Sequence, residues 1–182
     1  MKVIQKYFLA LVPPESIIEK VQEMKFLIRD QFGVKYALKS PPHITVKMPF
    51  NYNEAKEGRL IEKLNEYLKD RRPFPIQVSG VGNFGKRVVY LNILKSPQLE
   101  NFQEGIKHFC KRELHLVDEL SDRNYHPHMT VAFKDIKPIH FSEVLLLVKK
   151  LSFETEFSAL DLVLLKRING EWVLFRKIKF GA

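Results

Sequence analysis

Apolar positions along this chain fall into two rhythms. Tyr7-Phe8-Leu9-Ala10-Leu11-Val12 is a short unbroken run stopped by Pro13-Pro14, the pattern of a buried strand. Ile17, Ile18, Val21, Met24, Leu27 and Ile28 then recur at helical spacing and end near Gly33. A short strand is predicted at His43–Val46. A second amphipathic helix comes next, through Leu60, Ile61, Leu64, Tyr67 and Leu68, closed before Pro73, and then a strand over Phe74–Val78.

The order then repeats. Val88–Leu94 reads as a strand, and Ser96-Pro97 starts a helix, with serine as cap and proline in the first turn. Leu99, Phe102, Ile106 and Phe109 mark its apolar face. A strand is predicted over Pro127–Phe133, a helix through Phe141, Val144, Leu145 and Val148, and a strand over Phe157–Leu165. Trp172–Ile178 pairs back on that strand across the hairpin signal Asn169-Gly170. Phe8-Leu9-Ala10-Leu11 maps near Tyr90-Leu91-Asn92-Ile93, an offset of 82.

Each half is therefore strand, helix, short strand, helix, strand. The expected fold is α+β: a bilobal, pseudo-two-fold duplication in which two mainly antiparallel sheets form a central cleft, with helices outside. The 182 residues suit one bilobal domain. The first lobe covers about 1–85 and the second about 86–182, and the pattern leaves exchange of strands between them open.

The duplication carries a motif. Pro42-His43-Ile44-Thr45-Val46 is echoed 85 residues later by Pro127-His128-Met129-Thr130-Val131. Alternate side chains of a strand share a face, so His43 and Thr45 project together while Ile44 and Val46 turn to the core. His128 and Thr130 do the same. Each half thus offers an imidazole and a hydroxyl about 7 Å apart. In-line displacement at phosphorus needs a base on the incoming oxygen and an acid on the leaving one, and histidine titrates near neutrality. Two hydroxyls suit the non-bridging phosphate oxygens. That set calls for no metal and no cofactor.

On these residues the chain resembles the 2H phosphoesterase superfamily, which includes 2′-5′ RNA ligase-like proteins and cyclic phosphodiesterases. Both histidine–hydrophobic–threonine motifs are present, and Arg123-Asn124-Tyr125-His126-Pro127-His128-Met129-Thr130 is similar to the longer second signature. The resemblance implies that His43 and His128 are an acid–base pair and that Thr45 and Thr130 bind phosphate. It also implies hydrolysis of 2′,3′-cyclic phosphates, or handling of 2′-5′ linkages, on an RNA or nucleotide substrate. The flanks Lys39-Ser40 and Lys47-Met48-Pro49-Phe50 depart from many relatives.

Arg123, Tyr125, His126 and Phe84 are further candidates for substrate contact. Arg123 suits phosphate oxygens, and Tyr125 and Phe84 suit a base. His126-x-His128 has the look of a metal pair, but no carboxylate or cysteine supports it at a useful spacing. Gly80-Val81-Gly82-Asn83-Phe84-Gly85 matches a dinucleotide fingerprint. The next residues, Lys86–Leu91, read as strand rather than helix, so the glycines are expected to form a loop between strands. His108, His115 and His140 have no partner that suggests chemistry.

Thirty basic residues against 21 acidic ones leave a net charge of +9, which favours a polyanionic partner. The single cysteine, Cys110, lies on an apolar helical face and fits a reducing, cytoplasmic setting. No apolar run approaches the roughly 20 residues of a membrane span. The start, Met1-Lys2 with Tyr7–Val12, is too short for a leader, and no obligate protein partner is implied. Three functions compete at this level: a metal-independent phosphodiesterase, an RNA- or nucleotide-phosphate-binding module using the same cleft, and, weakest, a zinc hydrolase built on His126 and His128.

Overall fold

A computed structural model describes residues 3–181; Met1 and Lys2, the basic start considered above, and Ala182 lie outside the described residues. The chain runs β1 (Ile4–Leu11), α1 (Glu15–Phe32), β2 (Ile44–Asn53), α2 (Glu57–Leu68) and β3 (Phe74–Phe84). It continues β4 (Val88–Ile93), α3 (Pro97–Glu113), α4 (Leu120–Arg123), β5 (His128–Phe133), α5 (Phe141–Leu151), β6 (Thr155–Ala159), β7 (Asp161–Ile168) and β8 (Glu171–Lys179).

These strands make two four-stranded antiparallel sheets, ordered β2-β1-β7-β8 and β5-β4-β3-β6. The sheets do not follow the two halves of the sequence. The last strand of each half crosses over, β3 pairing with β4 and β7 with β1. The helices cross too: α1 packs on β5, and α3 packs on β2. One continuous core, from Tyr7 through Leu64, Leu91 and Val144 to Phe180, joins both sheets.

Local chemistry sets the element ends. Gly33 takes a left-handed conformation, φ 71°, and its N–H closes α1 on the Arg29 carbonyl at 2.8 Å. The Ser96 hydroxyl accepts the Leu99 N–H at 3.2 Å at the start of α3. Asn169 and Gly170, at φ 49° and 84°, turn β7 into β8.

Four expectations change. The run Phe157–Leu165 is two strands in different sheets, because the chain leaves one sheet at the exposed Leu160 and enters the other. The strand begun at His43–Val46 extends to Asn53, through Pro49, whose missing N–H is tolerated because β2 is an edge strand. Gly80 and Gly82 are not in a loop: β3 runs through them with a bulge after Val78, and the turn to β4 begins at Gly85. Strand register sets Thr45 opposite Ala10 and Thr130 opposite Tyr90. The repeat of the first strands is therefore offset by 80 rather than 82. Two residues is one pleat repeat, so the face assignments survive.

Candidate active site

Both motifs lie on edge strands, β2 and β5, and those two edges approach each other. The pleat does the sorting. Ile44, Val46, Met129 and Val131 are buried to 0–1% exposure and anchor the strands. His43, Thr45, His128 and Thr130 are half-buried on the other face. Each histidine is anchored alike: His43 Nδ1 donates to the Pro41 carbonyl and His128 Nδ1 to the His126 carbonyl, both at 2.7 Å. That bond assigns the proton to Nδ1 in the neutral ring and leaves Nε2 for a ligand.

Two cavities flank these side chains. The larger, about 210 Å³, is lined by Thr45, Met48, Phe84, Tyr125, His126 and His128. The smaller, about 160 Å³, is lined by Phe8, Tyr36, Lys39, His43, Thr130 and Trp172, with Thr45 and Met48 again on its wall. Thr45 of the first motif thus shares a cavity with His128, and Thr130 of the second shares one with His43.

Aromatic rings hold each imidazole. Phe8 packs against His43 at 4.8 Å between centroids, with Trp172 edge-on to Phe8 at 4.7 Å. Tyr90 and Phe84 lie 5.1 and 5.0 Å from His128, and the Tyr90 hydroxyl meets His126 Nε2 at 3.1 Å. Gly82 makes this placement possible. It stands opposite Tyr90, and a Cβ there would come 2.5 Å from the tyrosine ring.

Burial dominates the electrostatics. It pushes the His43 imidazole down to about 4; the Pro41 carbonyl opposes this, and the Lys25 and His128 charges reinforce it. His128 is also lowered by burial, against the His126 carbonyl, with the His126 charge adding a little. Both rings are therefore neutral in the free site near pH 7.

Two buried lysines that hold the segments around the motifs escaped the sequence reading. Lys25, 2% exposed, donates to the Ala37 and Ser40 carbonyls at 3.0 Å each, and burial lowers its amine to about 7. Its place on the apolar stripe of α1, four residues after Val21, was the available signal. Lys47, 0% exposed, pairs with Asp122 and donates to the Val117 carbonyl at 2.9 Å. It turns inward because of a bulge: Ala10 pairs with Thr45, but Leu9 pairs with Lys47. Asp122 also accepts the Met48 N–H at 2.8 Å and the Glu119 N–H at 2.9 Å. This pair binds the first motif's strand to the segment that leads into the second.

The secondary candidates divide. Phe84, Tyr125 and His126 line the His128 cavity; Phe84 is 40% exposed at its rim, and the buried Tyr125 hydroxyl has no partner among the described residues. Arg123 lines a different depression, with Lys95, Glu100 and Glu104 beside α3. The ring centroids of His126 and His128 are 6.3 Å apart, and His126 Nε2 is turned to the Tyr90 hydroxyl. Among the described residues no group of three or more His, Cys, Asp or Glu side chains is placed to hold a metal ion. No helix among the described residues is long and apolar enough to cross a membrane. Cys110 is buried in the core, and its thiol is pushed up to about 12.

A family model described as the 2′-5′ RNA ligase superfamily matches residues 13–171. A Bacillus anthracis protein named "Putative phosphoesterase" is 26% identical over 182 residues, covering 97% of each chain. A crystal structure from Thermus thermophilus has a similar fold, with a TM-score of 0.68 at 15% identity over 97% of this chain and 98% of that one. E. coli LigT complexed with 3′-AMP superposes with a TM-score of 0.61 at 13% identity over the whole of both chains.

Proposed function

The chain belongs to the 2′-5′ RNA ligase superfamily, the two-histidine phosphoesterases that its motifs resemble, and from that premise we propose that it is a metal-independent phosphodiesterase acting on 2′,3′-cyclic phosphate or 2′-5′-linked RNA or nucleotide ends. The observation that carries this reading is the paired site. Two copies of one histidine–threonine unit, anchored by the same Nδ1 bond, share their cavities crosswise.

In the reaction one neutral imidazole takes a proton from water as its oxygen attacks phosphorus. The other, protonated, delivers a proton to the departing ribose oxygen. Thr45 and Thr130 donate to the non-bridging oxygens, where negative charge grows. Both rings start neutral, and the bound phosphate anion supplies the charge that raises one of them into its acid form. The LigT complex with 3′-AMP supports a nucleotide as the ligand class.

The test is incubation of wild type, His43→Ala and His128→Ala with nucleoside and oligonucleotide 2′,3′-cyclic phosphates in chelator, with products followed by mass and phosphate position. Wild type should add one water, and either substitution should lower turnover by about 10²–10⁴-fold. Undiminished activity in a variant carrying both substitutions, His43→Ala and His128→Ala, would refute the reading. The net charge of +9 suits the alternative, an RNA- or nucleotide-phosphate-binding module, equally well. Tight binding of a cyclic-phosphate end without conversion would establish it instead.

A further inference from the structure

The two halves brace their motifs with different chemistry. Ahead of His128, the buried Gln103 of α3 donates to the Asp122 carbonyl at 3.0 Å. Ahead of His43, the buried Lys25 of α1 donates to the Ala37 and Ser40 carbonyls. One brace is a neutral amide and the other an amine. Ala37, Ser40 and His43 line the same cavity, so the amine sits behind the wall that faces the substrate.

We propose that Lys25 is a positioning residue for His43: its amine braces the segment that carries the ring and, by its charge, reserves the base role for His43, leaving the acid role to His128. This rests on the two-histidine reading above.

The surroundings of Lys25 leave its charge uncompensated. Among the described residues no carboxylate forms an ion pair with it. From α5, which packs on α1, Glu143, Lys149 and Lys150 are exposed. From β5 the titratable side chain is His128. From the 3-10 turn Tyr36–Lys39, Lys39 is exposed, and Tyr36 turns its hydroxyl to Lys134 at 3.4 Å. Asp135, which accepts the Lys35 and Tyr36 N–H groups at 2.9 and 3.0 Å, holds the outer side of that turn. Burial alone lowers the Lys25 amine, to about 7, whereas the His43 ring is held down to about 4. Wherever His43 begins to take a proton, Lys25 is already charged and opposes it. The other buried lysine of the first motif's strand, Lys47, is instead neutralised by Asp122.

Two measurements on wild type, Lys25→Met, Lys25→Gln and Lys25→Arg decide this. NMR titration of the His43 ring needs no turnover. Its midpoint should rise by about one pH unit in the Met and Gln variants, the effect of removing one nearby charge, and stay near wild type in the Arg variant. The acid limb of kcat/KM on a 2′,3′-cyclic phosphate should move with it. In a second assay, an aryl phosphodiester whose leaving group needs no proton should restore His128→Ala at least about tenfold relative to the natural ester, and His43→Ala not at all. A His43 titration unchanged in both Lys25→Met and Lys25→Gln overturns the proposal. So does rescue of His43→Ala in place of His128→Ala. If wild type converts no cyclic phosphate, the functional reading fails by itself, and the NMR titration still decides whether Lys25 governs His43.

Discussion

Replacing Lys47 by methionine tests how the two motifs are held together. The side chains of Lys47 and Asp122 are 0% and 1% exposed, so neither charge has water to fall back on. Methionine fills the lysine's stem but removes the ammonium. The carboxylate then keeps only the Met48 and Glu119 N–H donors, and the Val117 carbonyl loses its partner. Removing one member of a buried pair costs about 3–5 kcal/mol. The two remaining donors to a charged acceptor place this case at the lower end, so about 3 kcal/mol is expected. That is a fifth or more of the roughly 5–15 kcal/mol that a domain has in total.

Urea unfolding of Lys47→Met, Asp122→Asn and the double variant measures this directly. Each single substitution strands the other group, so the double should cost scarcely more than either alone, leaving a coupling of about 2–3 kcal/mol. Turnover should also fall in Lys47→Met while it is still folded, because residues 117–123 lead into the strand that carries His128. A cost below about 1 kcal/mol for Lys47→Met, with additive singles, would refute the view that this pair clamps the site.

Two other outcomes rest on the geometry. Unfolded His43 takes up a proton near its ordinary 6.5, while the folded ring resists to about 4, so stability should fall as pH drops from 6.5 to 4, by at most about 3 kcal/mol. Thermal unfolding of His43→Gln across that window should show a shallower decline, and an identical slope would mean that the ring is not buried as described. Gly82→Ala puts a methyl 2.5 Å from the Tyr90 ring, and overpacking of this kind costs about 1–3 kcal/mol. Raised KM together with a lower Tm would show that the glycine exists to seat Tyr90 against His126 and His128; an unchanged enzyme would remove that role.

What the chain reveals of itself depends on whether a feature is local. The His43–Thr45 and His128–Thr130 faces need only the two-residue period of a strand, and the duplicated order needs only hydrophobic spacing, so both were legible. The crossing at Leu160 was not: Phe157 and Ala159 are buried in one sheet and Leu162–Leu165 in the other, and an apolar run carries no label for the sheet it joins. Lys47 was hidden for a sharper reason. Simple alternation from Thr45 turns it toward the cleft, and only the bulge in its pairing with β1 sends it to Asp122, a register set by a strand more than 30 residues away. For Arg123 the motif and the fold point different ways: its place in the second motif suggests phosphate, whereas α4 turns it toward α3. Lys25 left a local trace that the reading passed over, a lysine on an apolar helical stripe. The physics of such a position explains why it merits attention: burying an amine without a carboxylate costs stability, and the fold retains it next to a residue whose proton governs the proposed reaction.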